Sequence, residues 1–184
     1  MRAVVTGGAG FIGSHLVDAL LVRVAAVAVL DDLSSGRRER VPAGVAQHVV
    51  DVADAPATAE GVAAERPEVV FHLAAQVDVR RSVADPAHDT RVNVAGTASV
   101  LDAARAAGAR RFLLASTGGA LYGATDVLPT LESTPLAPYS PYGTSKAAAE
   151  SYCALFARLH GSRRSRCAWG TSTARARIRR ARPA

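Results

Sequence analysis

Tyr142 and Lys146 stand four residues apart in the stretch Ser140-Pro141-Tyr142-Gly143-Thr144-Ser145-Lys146. On an α-helix that spacing brings both side chains out on one face. An ammonium beside a phenol favours the phenolate, and a further positive charge nearby would favour it more. Such a phenol is a general base able to take a proton from a hydroxyl near neutral pH. Ser140 is suited to cap the helix, and Pro141 to its first position, where a missing N–H costs nothing. Taken alone, the pair has a second reading as two side chains on a solvated helix face, so its surroundings must decide.

A second constellation lies at the start of the chain. Thr6-Gly7-Gly8-Ala9-Gly10-Phe11-Ile12-Gly13 carries glycines at G-x-x-G-x-x-G spacing. It falls between the apolar run Ala3-Val4-Val5 and an amphipathic segment, Ser14 to Leu21. Strand, glycine turn and helix in that order suit a dinucleotide phosphate: Gly7 for the tight turn, Gly10 for access to the pyrophosphate, Gly13 for close packing of helix on strand. The next apolar run, Ala25 to Leu30, ends in Asp31-Asp32. An acidic residue there accepts hydrogen bonds from the adenosine ribose and repels a 2′-phosphate, which favours NAD over NADP. Arg37 and Arg38 would soften that preference, and a plain turn with a solvated carboxylate is the alternative for Asp31.

Strand and helix signals alternate along the chain. Strands are expected near 2–6, 25–30, 46–50, 68–73 and 111–116, helices near 11–22, 55–65, 86–107 and 141–160. Runs such as Val69-Val70-Phe71 and Phe112-Leu113-Leu114 suit strands buried on both faces. The pattern predicts an α/β fold, a doubly wound parallel sheet of the Rossmann type. Pro56 and Pro86 fit helix first turns and Gly108 a helix stop, whereas Arg23-Val24-Ala25-Ala26 offers no left-handed cap to the first helix. Ligands of such sheets lie beyond the carboxyl ends of the strands. That rim would carry Gly7 to Gly13, Asp31-Asp32, Asp51-Val52, Leu73-Ala74-Ala75 and Ser116-Thr117. Ala74 and Ala75 would let a cofactor approach the backbone; simple core packing accounts for them equally well.

With these residues in place the chain resembles the extended short-chain dehydrogenase/reductase family, in its NAD-dependent epimerase/dehydratase branch. The resemblance is carried by Thr6 to Gly13, Asp31-Asp32-Leu33, Asp51-Val52, His72-Leu73-Ala74-Ala75, Asn93-Val94-Ala95-Gly96-Thr97, Leu121-Tyr122-Gly123, and Tyr142 with Lys146. It implies NAD as cofactor, bound by Gly7, Gly10, Phe11, Ile12, Gly13, Asp31, Asp32, Asp51, Val52, Leu73, Ala74, Ala75, Asn93 and Lys146. It further implies nucleotide-sugar epimerisation, with a UDP-sugar as substrate. Tyr142 would take the hydroxyl proton while hydride leaves the same carbon and later returns to the opposite face. Lys146 would lower the Tyr142 pKa and bond the nicotinamide ribose, and a hydroxyl after the fifth strand would hold the reacting oxygen. Thr117 is assigned that role, with Ser116 second. A common form of the pattern puts the hydroxyl four residues before the Tyr-Gly tyrosine, which is Gly118 here. Dehydratases of the branch carry Asp-Glu after the hydroxyl; Gly118-Gly119 supply neither, which disfavours dehydration. Members of the branch pair as homodimers through the helices expected near 86–107 and 141–160.

Composition narrows the alternatives. The 184 residues are 49% hydrophobic and 5% aromatic, which suits one soluble domain. The longest apolar stretch, Ala19 to Leu30, is short for a bilayer and contains Arg23. No signal peptide is evident, and Cys153 and Cys167 have neither metal-site nor disulfide spacing, so a cytoplasmic protein without a metal is expected. The net charge of +6 resides in residues 162–184, which hold eight arginines and no acid. Without that stretch the chain has 14 basic and 16 acidic residues. A specific nucleic-acid role is disfavoured, because an arginine-rich tail binds polyanions without specificity.

After His160-Gly161 hydrophobic period and family pattern both stop, and composition predicts disorder over 162–184. Codons for Arg166 to Ala176, entered at their third nucleotide, permit Leu-Arg-Leu-Gly-Asn-Val-Tyr-Gly-Pro-Arg in order. The glycine is forced by the single tryptophan codon of Trp169 followed by Gly170. That string is the family's continuation, so the expectation is a domain over 1–161 followed by an out-of-frame tail over 162–184. The sheet would then be incomplete on its C-terminal side and lack the sugar-nucleotide domain. The expected consequences are weak stability, exposure of apolar residues such as Leu155 and Phe156, and little turnover. Three readings therefore stand: an epimerase by ancestry, an NAD-binding remnant without catalysis, or another nucleotide-sugar enzyme of the branch, a decarboxylase or dehydratase.

Overall fold

The central strands are apolar almost throughout because the sheet is covered on both faces. The computed structural model describes residues 1–24, 26–124, 129–160 and 168–171. Its strands are β1 (Arg2–Thr6), β2 (Ala26–Asp31), β3 (Ala46–Val49), β4 (Val69–His72), β5 (Arg111–Ser116) and β6 (Ala168–Thr171). All pair in parallel, in the order β3-β2-β1-β4-β5-β6. This is the doubly wound sheet expected, with a reversal of strand order beside β1.

The helices are α1 (Phe11–Leu21), α2 (Ala55–Glu65), α3 (Val79–Ala84), α4 (Pro86–Thr90), α5 (Gly96–Ala106), α6 (Gly118–Leu121) and α7 (Pro141–Leu159). Val4, Leu30, Val70 and Leu114 point to one face, where Val62 of α2, Val100 of α5 and Ala149 and Cys153 of α7 meet them. Val5, Val27 and Val29 point to the other, where Val17 and Leu20 of α1 cover them. Phe71 and Leu113, on that second face, are only half-buried among the described residues.

Local chemistry sets the helix ends. Asp54 accepts from the Ala57 N–H at 3.1 Å, Asp85 from His88 at 3.0 Å and Ser140 from Gly143 at 3.1 Å, each with a proline in the first turn that follows. Gly108 stops α5 at φ +76°. The helix expected over 86–107 is α4 and α5 joined by a π turn, Arg91–Ala95. A π turn inserts one extra residue and turns the side chains beyond it.

Two expectations need correction. Within the stretch read as disordered, Ala168–Thr171 pairs with β5, Leu113 opposite Ala168 and Ser116 opposite Thr171. A strand edge offers unpaired backbone groups, and backbone can join it whatever the side-chain pattern. The rest of the expected tail, 162–167 and 172–184, lies outside the described residues, Cys167 included, as does Gly161 before it. Leu155 is exposed as expected, but Phe156 packs against the core.

Candidate active site

Parallel strands put their carboxyl ends on one rim. Gly7, Asp31, Asp51, Leu73 to Ala75, and Ser116 with Thr117 all lie there. Val5 and Thr6 align with Val29 and Leu30 of β2 and with Phe71 and His72 of β4.

The glycine turn fits a dinucleotide by its lack of side chains. A Cβ on Gly13 would stand 2.1 Å from the Gly7 carbonyl oxygen, and one on Gly7, at φ +69°, would stand 2.6 Å from the Ala74 nitrogen. The turn is therefore pressed against both the α1 start and the β4 loop. Gly10 opens α1 without a side-chain cap, which leaves the first-turn N–H groups to an anion. Phe11 and Ile12 are exposed beside it. Asp31 is buried: its Oδ2 accepts from the Ala9 N–H and its Oδ1 from the Leu33 N–H, both at 2.9 Å. It thus ties the glycine turn to the β2 end. Asp32 is exposed and holds Ser34. Asp51 accepts from the Ala53 N–H at 2.9 Å and pairs with Arg91 at 3.1 Å, while Val52 is buried in the core.

A buried polar chain runs under the rim. Thr97 donates to the Asn93 carbonyl at 2.7 Å, so its oxygen accepts from His72 Nε2–H at 3.0 Å. Thr6 accepts from the Ala74 N–H at 3.2 Å and donates to His72 Nδ1 at 2.7 Å. Burial, with the Lys146 charge acting the same way, pushes the His72 pKa down to about 3, and the imidazole stays neutral. Asn93 is buried, accepting from the Gln76 N–H at 3.0 Å and donating to the Gln76 carbonyl and Asp89. Its amide braces the β4 loop from behind the rim.

α7 brings Tyr142 and Lys146 to the same rim. The Tyr142 N–H donates to Ser82 of α3 at 3.1 Å. Lys146 is the only lysine in the chain and is buried; its Nζ donates to the Ala115 carbonyl at 3.0 Å, next to Ser116 and Thr117. Burial brings its pKa down to about 8, against the opposing pull of Asp89, Cys153 and Glu150. Tyr142 departs from the expectation of a lowered pKa: burial first, and then the Asp89 charge, push it up. Burial and the Asp89 charge both favour the protonated phenol. Ser116 gives its hydroxyl to Glu150 of α7, whose pKa burial raises. Thr117 precedes α6 without capping it and is half-buried at the rim.

The sequence alone assigns no role to Gln76, Asp89 or Glu150. A signal existed for two of them: Asp89 lies four residues before Asn93 and Glu150 four after Lys146, each on one helix face. No group of His, Cys, Asp and Glu suited to a metal occurs among the described residues. None of the described helices is long and apolar enough to cross a membrane.

A parallel sheet opened by a glycine turn, with a Tyr-x-x-x-Lys helix at the same rim, is the arrangement of a dinucleotide-dependent short-chain dehydrogenase/reductase. The chain belongs to the NAD dependent epimerase/dehydratase family, whose model matches residues 3–165. It is 47% identical over 166 residues to UDP-glucose 4-epimerase of Mycolicibacterium smegmatis, covering 87% of this chain and 52% of that protein. UDP-glucose 4-epimerase of Thermotoga maritima, solved with UDP-glucose, superposes with TM-score 0.85 at 42% identity over 88% of this chain and 52% of its own. That of Thermus thermophilus, solved with NAD, gives 0.85 at 44%, over 92% and 53%. The chain spans about half the length of these relatives.

Proposed function

We propose that this chain is the NAD-binding and proton-transfer half of a nucleotide-sugar 4-epimerase whose substrate is UDP-glucose or UDP-galactose. The observation that carries the reading is the placing of Tyr142 and Lys146 on α7, with Lys146 bonded to the β5 end beside Thr117. Likeness to UDP-glucose 4-epimerases over 87% of the chain supports the substrate class. The glycine turn, the uncapped α1 start and Asp31 would hold NAD, with Phe11, Ile12, Asp32, Asp51, Val52, and Leu73 to Ala75 along its length. Bound NAD supplies hydride acceptance and return. Tyr142 takes the proton of the sugar hydroxyl and gives it back, Thr117 holds the reacting oxygen, and Lys146 bonds the ribose and adds positive charge beside the phenol. The reading includes a cytoplasmic enzyme that forms a homodimer when the domain is complete.

The half-length match favours one second reading, a domain that binds NAD without turnover. NAD affinity by calorimetry and interconversion of UDP-glucose and UDP-galactose, for the chain and for Tyr142→Phe, separate the two. Turnover abolished by Tyr142→Phe supports the epimerase. NAD binding without turnover in either protein supports the remnant, and no NAD binding overturns both.

A further inference from the structure

Asp89 on α4 is fully buried, and the proton-transfer reading gives it no task. Its Oδ1 is held by two amides, Gln76 Nε2–H at 2.9 Å and Asn93 Nδ2–H at 3.0 Å. Those amides are themselves fixed, on the Asp78 and Gln76 carbonyls, both at 2.9 Å. Its Oδ2 has no hydrogen-bond partner among the described residues. A bare buried carboxylate oxygen is costly unless a cation faces it. Arg91, the nearest cation in sequence, is turned outward to Asp51. α4 and the π turn that follows it pack against α7, which carries the buried ammonium of Lys146.

We propose that Asp89 is a positioning residue, the fixed counter-charge against which the Lys146 ammonium and the Tyr142 hydroxyl are held across the α4–α7 contact. This rests on reading Tyr142 and Lys146 as the proton-transfer pair. The Asp89 charge reaches both, helping Lys146 keep its proton against burial and helping Tyr142 keep its own. The other groups facing Lys146 are Glu150 and Cys153 of α7 and His72 of β4. His72 is neutral, and Glu150 accepts from Ser116 and is itself pushed towards its protonated form by burial. Asp89 is set apart from them by its place on a different helix and by its second carboxyl oxygen, which no described group occupies.

A single lysine makes the test direct, since the full chain labelled at the lysine ε-carbon gives one side-chain resonance. Its pH titration is read in the wild type, Asp89→Asn and Glu150→Gln, with no cofactor or sugar present. The Tyr142 phenol is followed by phenolate absorbance as the difference from a Tyr142→Phe counterpart. In Asp89→Asn both midpoints are expected to move to lower pH, because both groups lose the same negative charge. Mere loosening of the packing would admit water, raising the Lys146 midpoint while lowering that of Tyr142. A Lys146 midpoint that rises or stays fixed in Asp89→Asn overturns the proposal. Should that variant not fold, Glu150→Gln decides. An unchanged Lys146 midpoint supports Asp89, and a fall assigns the counter-charge to Glu150 and overturns it. Failure of the epimerase reading would leave these titrations untouched.

Discussion

The Lys146 ammonium donates to the Ala115 carbonyl oxygen at 3.0 Å, which pins the second turn of α7 to the carboxyl end of β5. The hydroxyl-bearing strand end and the Tyr142 helix therefore cannot shift independently. The charge is held in place at a cost, since burial brings the Lys146 pKa down to about 8.

That cost predicts a pH dependence. A lysine whose folded pKa lies below its unfolded value binds its proton less well in the native state, so stability rises with pH from about 8 up to the unfolded lysine pKa. The gain is up to about 3 kcal/mol from the difference between the two. Lys146→Met should lack this rise. Denaturant unfolding of both proteins across that window measures it, and equal slopes would contradict it.

His72 predicts a second rise of stability with pH, on the acid side. Its folded pKa of about 3 lies well below the ordinary histidine value, so its share of stability is complete above the unfolded pKa and is lost as pH falls from there towards 3. The loss is up to about 5 kcal/mol. His72→Leu should flatten that decline. At neutral pH it should also cost about 2 kcal/mol, because the Thr6 and Thr97 hydroxyls lose their partner. Unfolding free energies from mildly acidic to neutral pH supply the comparison.

Ser116 and Thr117 should separate. Ser116→Ala leaves the Glu150 carboxyl without its hydroxyl partner and should lower stability by about 1–2 kcal/mol while sparing turnover. Under the proposed epimerase reading, Thr117→Ala should leave the melting temperature nearly unchanged and reduce whatever epimerisation the protein shows about a hundredfold, the usual loss for one polar group at a reacting oxygen. Melting curves and the sugar-interconversion assay on the same two variants show whether the roles are reversed.

Glycines should differ by position. Gly13→Ala places a methyl 2.1 Å from the Gly7 carbonyl oxygen, and α1 must move. A loss of about 3 kcal/mol and of NAD affinity is expected. Gly119→Ala meets nothing within 4 Å and should be neutral or slightly stabilising.

The coding DNA across residues 160–176 should continue, one frame over, with Asn-Val-Tyr-Gly-Pro in a long open frame. Resequencing that closes that frame at once would show the arginine-rich stretch to be the gene's own.

Much of this architecture could be read from pattern because buried parallel strands are short, apolar and bounded by glycine or acidic residues. The run expected at 25–30 is β2 at 26–31, and that at 111–116 is β5. The rim followed from parallel order alone. What escaped has physical reasons. α3 and α6 have six and four residues, too few to show a helical period. The π turn leaves no mark in hydrophobic spacing. Asp89 and Glu150 look like ordinary helix-surface acids until the packing of α4 against α7 and of α7 on β5 buries them. Tyr142 shows the limit most clearly. Its spacing from Lys146 was legible, but the direction of its pKa depended on burial and on Asp89, neither visible in the motif.

Twenty-one of the 22 basic side chains are arginine. A lysine-specific protease therefore has one bond to cut, Lys146–Ala147, in the interior of a 19-residue helix. Cleavage requires α7 to lift from the sheet. Its rate is a clock for the opening of α7, read on a gel from a single cut that divides the chain into two fragments.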